Sequence, residues 1–149
     1  MTLRWLVASL HLLALPLGLG AVFGRARALR GALDGPGLAR VFRADALWGL
    51  AAVVWVGTGL ARAFGGLEKG AAYYLGAHVF WVKMSLLGSI LVLEVWPMVT
   101  LIRWRARAAK GEAIDMSSAR DLALISDVQA GFVVLMVFAA TALARGIGS

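Results

Sequence analysis

The chain is predicted to fold as an all-α four-helix transmembrane bundle with both termini on the non-cytoplasmic side. Three observations carry that expectation. Of the 149 residues, 61% are hydrophobic and only 15% charged, against roughly 45–50% and 25% in a soluble domain. Four apolar stretches, 5–24, 46–64, 73–102 and 122–144, have about the length that crosses a bilayer, near 20 residues. Short connectors separate them, so neighbouring helices are expected to run antiparallel. The length allows one membrane domain spanning residues 1–149, and the composition excludes a soluble enzyme core or a disordered tail.

The first stretch is longer than the roughly 7–15 apolar residues of a signal peptide and is followed by arginines, so it reads as a membrane-anchored helix. Within it, Gly20 and Gly24 have the spacing that permits close helix approach. Asp34-Gly-Pro36 reads as an N-cap followed by an early-turn proline, which starts the second helix well before its apolar stretch. A short connector, Ala61–Ala72, leads to the third helix. Tyr73 and Tyr74 there, with Trp5 on the first helix, fall at the outer boundary, and Trp104 falls at the inner one, as an aromatic belt requires. Ser118 and Asp121 have capping-box spacing and open the fourth helix.

Lysine and arginine set the orientation. The first connector carries Arg25, Arg27, Arg30, Arg40 and Arg43, and the third carries Arg103, Arg105, Arg107, Lys110 and Arg120. The opposite side has Arg4, Arg62, Lys69 and Arg145, while Lys83 lies inside a span. Both basic connectors are therefore expected in the cytoplasm, and both termini outside. The formal charge of +7 is thus an orientation signal with some attraction to anionic lipid, and no nucleic-acid partner is expected.

Ionisable residues inside a membrane are costly, so their placement is informative. Arg4, His11, Gly18 and Arg25 recur every seven residues on the first helix and share one face. The second helix offers Asp45, Trp48, Ala52, Trp55, Gly59 and Arg62. The third offers Gly76, Phe80, Lys83, Leu87, Ile90 and Glu94. The fourth offers Asp127, Gly131, Val134, Phe138, Thr141 and Arg145. Four such seams are expected to face one another. Arg25, Asp45, Glu94 and Asp127 then form a polar inner layer, read either as salt bridges tying helix ends together or as a proton path or polar-substrate site.

At ~1.5 Å per residue, His11 lies about 10 Å and Lys83 about 13 Å inside the outer boundary, so the two meet at one level. The absence of cysteine excludes disulfides, iron–sulfur clusters, covalent c-type haem attachment and thiolate zinc. His11 is left as a candidate metal or haem ligand, with a hydrogen-bonding role between helices or a proton relay as the other readings. His78 is close to His11 in depth, yet lies about 140° around its helix from Lys83. Both cannot face inward equally, and Lys83 inward is expected, because an ammonium in lipid costs more than an interfacial imidazole.

The segments Ala44-Asp-Ala-Leu-Trp-Gly49, Gly57-Thr-Gly-Leu-Ala-Arg62, Phe80-Trp-Val-Lys-Met84 and Glu94-Val-Trp-Pro97, followed by Arg103-Trp104-Arg105, carry a resemblance over most of the chain. It resembles a bacterial family of small four-helix membrane proteins of unassigned function. More distantly, Leu10-His11-Leu12 and Trp81-Val-Lys83 are similar to HemJ-type protoporphyrinogen oxidases, four-helix membrane proteins that bind haem b. After His11 the chain departs from that pattern and reads Ala14-Leu-Pro-Leu-Gly18. The resemblance implies a place in the bacterial inner membrane, haem b as cofactor, His11 as axial ligand and Lys83 as a site residue; on that reading His78 or Lys83 is expected to supply the other side of the iron or to contact the tetrapyrrole.

The expected function is therefore a haem b-binding membrane protein with a redox role, either porphyrinogen oxidation or electron transfer. Two alternatives stand beside it. One is an accessory or assembly subunit of a larger membrane complex, or a homo-oligomer, in which His78 and Trp81 meet a partner. The other is a small transporter or proton-conducting module using Asp45, Glu94 and Asp127.

Overall fold

Short turns and long apolar runs bring four helices side by side. The computed structural model describes residues 2–66 and 71–147. Its helices are α1 (Thr2–Arg30), α2 (Gly35–Phe64), α3 (Ala71–Gly76), α4 (His78–Lys110) and α5 (Ala119–Ala144), and no strand occurs among the described residues. All but α3 are long and apolar enough to cross a membrane. The outer surface fits lipid: Val53, Val92 and Phe138 are 72%, 73% and 69% exposed. In water such a surface would drive aggregation, but against acyl chains it costs little. Lys69 lies outside the described residues.

The α1–α2 turn forms as its residues dictate. The Asp34 carboxylate accepts from the Gly37 amide at 2.8 Å, and Pro36 occupies the first turn of α2. Gly37 is required by sterics, since a Cβ there would stand 1.8 Å from the Ala32 carbonyl oxygen. At the far end of α4, Gly111 takes the left-handed conformation at φ 69°, and the Glu112 amide bonds the Arg107 carbonyl at 3.0 Å, closing the helix.

Three expectations about the elements need correction. Ser118 makes no capping bond, because its backbone is already near-helical at φ −82°, ψ −1° and its hydroxyl is not placed to reach back. The turn ahead of it is instead set by Asp115, whose carboxylate accepts from the Ser117 amide at 2.9 Å; that bond holds the Asp115 carboxyl below the usual carboxylate range. The third stretch is not one helix from Tyr73. It breaks at Ala77, which is extended (φ −87°, ψ 121°) and fully buried. The Trp81 indole bonds the Leu75 carbonyl at 3.0 Å across the break, and the Tyr73 hydroxyl bonds the Leu143 carbonyl at 3.2 Å. Trp104 is only 4% exposed and packs with Leu29, Val41, Leu101 and Leu122, so it belongs to the core and not to an aromatic belt.

In the bundle, α1 packs directly on α2 and α5, and α4 on α5. Side chains reach between α2 and α4: the Trp48 indole donates to Glu94, and Arg105 to the Phe42 carbonyl and to Asp45. Gly18 is the close-approach glycine of the α1–α2 contact, with its Cβ position 3.3 Å from the Ala51 Cβ and 3.4 Å from the Trp48 ring. Gly20 and Gly24, expected in that role, face open space. The core forms layers along the axis. One apolar layer holds Val22, Trp48, Ile90 and Val133, and a second holds Leu29, Val41, Leu101 and Leu122. On every long helix, a polar group falls between the two.

Candidate functional site

Arg25 sits in that gap with no exposure at all. A guanidinium carries five N–H donors and cannot shed its charge, so burying it requires five acceptors. The neighbouring helices supply them. Nη1 donates to Asp45 Oδ1 at 2.9 Å and to Glu94 Oε1 at 2.8 Å; Nη2 donates to Glu94 Oε2 at 2.9 Å and to Gln129 Oε1 at 2.8 Å. Nε donates to the Ser126 hydroxyl at 3.0 Å, which in turn donates a hydrogen bond to the Leu122 carbonyl at 2.8 Å.

The acceptors are in turn satisfied. Glu94 Oε2 also receives the Trp48 indole at 2.9 Å and the Gln129 amide at 2.8 Å, and that amide reaches the Ile90 carbonyl at 3.2 Å. Asp45 Oδ2 receives Arg105 at 2.8 Å. Two guanidiniums face two carboxylates, so the layer is neutral. Among the described residues no buried side-chain nitrogen or oxygen lacks a partner. A fully bonded neutral network of this kind specifies which helix faces meet. Its two carboxylates are committed to arginines.

Of the four residues expected in this layer, the structure brings Arg25, Asp45 and Glu94 together and places Asp127 elsewhere. Asp127 pairs with Arg30 at the bundle surface. The face expected of the fourth helix is displaced with it, since Gly131, Val134, Phe138 and Thr141 are exposed. The face turned inward carries Leu122, Ser126, Gln129, Val133 and Met136. Ser126 and Gln129 are site residues that charge counting passes over. Their legible signal is a hydroxyl and an amide three residues apart, on the same stripe as the large apolar residues.

A second polar locus lies nearer the termini. His11 is half-buried, with Nδ1 2.9 Å from the Thr58 hydroxyl and 3.1 Å from the Trp55 carbonyl. The Thr58 hydroxyl donates its proton to the Val54 carbonyl at 2.6 Å. Both neighbours of Nδ1 therefore accept and Nδ1 carries a hydrogen, so in the neutral ring the lone pair is on Nε2. The Trp55 ring lies 6.0 Å away and tilted by 34°. Gly59 leaves room for the imidazole, since a Cβ there would come within 3.2 Å of its Cε1.

Lys83 and Arg62 are near enough to act on His11 electrostatically. Lys83 is partly buried and His78 exposed, at the first position of α4. The two histidines are thus not presented to a common centre. Among the described residues, no group of three or more His, Asp or Glu is arranged to hold a metal ion. A ligand held at this locus would rest on one imidazole and neighbouring cations.

Fold and site define an all-helical membrane protein organised around a neutral, buried ion-pair layer. Residues 3–148 match the family described as predicted membrane protein (DUF2214), and the chain belongs to that family. No curated protein and no solved structure matches the chain.

Proposed function

We propose that this membrane protein binds haem b through His11 and has a redox role, in porphyrinogen oxidation or electron transfer. The observation that supports this most is the commitment of His11 Nδ1 to Thr58 and Trp55. Metal-binding histidines are commonly held in this way, with one nitrogen anchored to an oxygen and the other presented to the metal. Haem b needs only such an axial nitrogen and an apolar enclosure. Lys83 lies within a span and makes no ion pair or hydrogen bond with a described residue, so it suits an anionic edge of the ligand. His78, exposed at the start of α4, is not assigned as a second ligand. When bound, haem supplies one-electron chemistry. The chain's own part is to fix the imidazole tautomer, exclude water with lipid-facing helices and place positive charge nearby.

The likeness of Leu10-His11-Leu12 and Trp81-Val-Lys83 to HemJ-type oxidases supports the same reading. The orientation that accompanies it puts the arginine-rich end in the cytoplasm and both termini outside the bacterial inner membrane. The test is the visible spectrum of protein purified from cells supplied with haem precursors. A Soret band is expected in the wild type and in His78→Ala, and is expected to be lost in His11→Ala. A wild type without the band, or a band indifferent to His11→Ala, overturns the assignment. A cofactor-free wild type that copurifies stoichiometrically with another membrane protein would favour the accessory-subunit reading.

A further inference from the structure

A groove of about 750 Å³ runs along the outside of the α1–α2 pair, from Pro16 and Leu17 to Arg27, Arg40 and Arg43. Its floor contains Gly20 and Gly24, and neither glycine is demanded by helix packing, since a Cβ at either position would meet nothing within 4 Å. The missing side chains open space on the lipid-facing side without bringing two helices closer. From Leu17 to Arg27 the groove rises about 15 Å at ~1.5 Å per residue, half of a ~30 Å hydrocarbon core and so the depth of one leaflet.

The charge at its mouth identifies the occupant. Arg25, Arg30 and Arg105 each bond a carboxylate. Arg27, Arg40 and Arg43 are exposed and make no hydrogen bond or ion pair with a described residue. They lie just beyond the ends of the apolar runs of α1 and α2, at the level of the lipid phosphates. A second copy related by a two-fold axis along the membrane normal would bring the same three arginines against each other, which like-charge repulsion opposes. We propose that the groove is a binding site for an anionic phospholipid, one acyl chain lying over Gly20 and Gly24 and the phosphate held by Arg27, Arg40 and Arg43.

The test is thermal unfolding of the full chain in neutral detergent, titrated with phosphatidylglycerol, phosphatidylcholine or inorganic phosphate. Phosphatidylglycerol is expected to raise the midpoint saturably, and the other two to leave it unchanged. In R27Q/R40Q/R43Q the apparent affinity should fall by about tenfold or more; in R103Q/K110Q/R120Q, which removes equal charge outside the groove, it should stay within about twofold of the wild type. G20L/G24L, which fills open space, should weaken phosphatidylglycerol while preserving the lipid-free midpoint. Equal response to phosphatidylcholine, an equal loss in the two charge variants, or full replacement by inorganic phosphate overturns the proposal. So does a wild-type dimer that G20L/G24L dissociates. If the groove-filling variant fails to fold, the comparison between the two charge variants, whose substituted side chains are solvent-accessible, still decides.

Discussion

Arg25 on α1 grips Glu94 on α4 with two parallel hydrogen bonds of 2.8 and 2.9 Å, across a bundle in which those helices are not consecutive. Each group is expensive to bury alone, and the fork geometry leaves no oxygen of the carboxylate unbonded. Arg25→Met strands Glu94 and Asp45 without their central cation. It is expected to destabilise the fold by about 3–5 kcal/mol, the usual penalty for an orphaned buried charge. Adding Glu94→Gln and Asp45→Asn removes those charges and should recover most of the loss. Thermal unfolding of the wild type, Arg25→Met and the triple variant in one detergent checks both statements. A triple variant no better than Arg25→Met would show that the layer acts by something other than charge compensation.

Glu94 and Asp127 look alike along the chain, yet are expected to behave differently. Glu94 accepts from Arg25, Trp48 and Gln129, whereas Asp127 pairs with the exposed Arg30. Glu94→Gln should lower the unfolding midpoint clearly, because it weakens several bonds at once. Asp127→Asn should leave the midpoint within experimental error, as exposed ion pairs do. Equal effects of the two substitutions would refute the placement of Asp127 outside the layer.

Gly37 and Gly20 provide a similar contrast in backbone space. Gly37→Ala puts a methyl group on the Ala32 carbonyl, so the α1–α2 turn must open and the Asp34 cap with it. Loss of that cap alone costs about 1 kcal/mol. A marked loss of stability and protease cleavage between residues 31 and 37 are expected. Gly20→Ala enters open space and should be tolerated.

The absence of cysteine makes orientation directly measurable. Single cysteines at Thr2 and Ile147 are expected to react with a membrane-impermeant thiol reagent added to intact spheroplasts. Cysteines at Ala32 and Ala113, in the arginine-rich connectors, should react only after lysis. The reverse pattern would invert the proposed topology.

Much of the inner layer was legible because charge in an apolar stretch is conspicuous. Arg25 and Asp45 each stand at the end of a hydrophobic run, Glu94 is a carboxylate inside one, and the heptad spacing of His11, Gly18 and Arg25 places them on one side of α1. The same signal misled on α5. Asp127 and Gln129 differ by about 200° around a helix, and following the carboxylate turned the helix to the wrong face. The error has a physical origin, since a buried guanidinium needs neutral acceptors as much as carboxylates. Ser126 and Gln129 carry no charge that would mark them. Trp104 was misplaced for a related reason: an aromatic at a membrane boundary suits a belt or a core equally well until its neighbours are known.

Length, hydropathy and the arginine distribution by themselves determined that this is a four-helix membrane protein with one strongly basic end, because bilayer thickness and the cost of buried charge act on each segment separately. Which carboxylate meets which arginine, which glycine is compressed and which opens a groove, and which histidine nitrogen is left unbonded depend on the rotation of each helix about its axis. That rotation is set jointly by all the neighbours, through five donors that had to find five acceptors on three other helices.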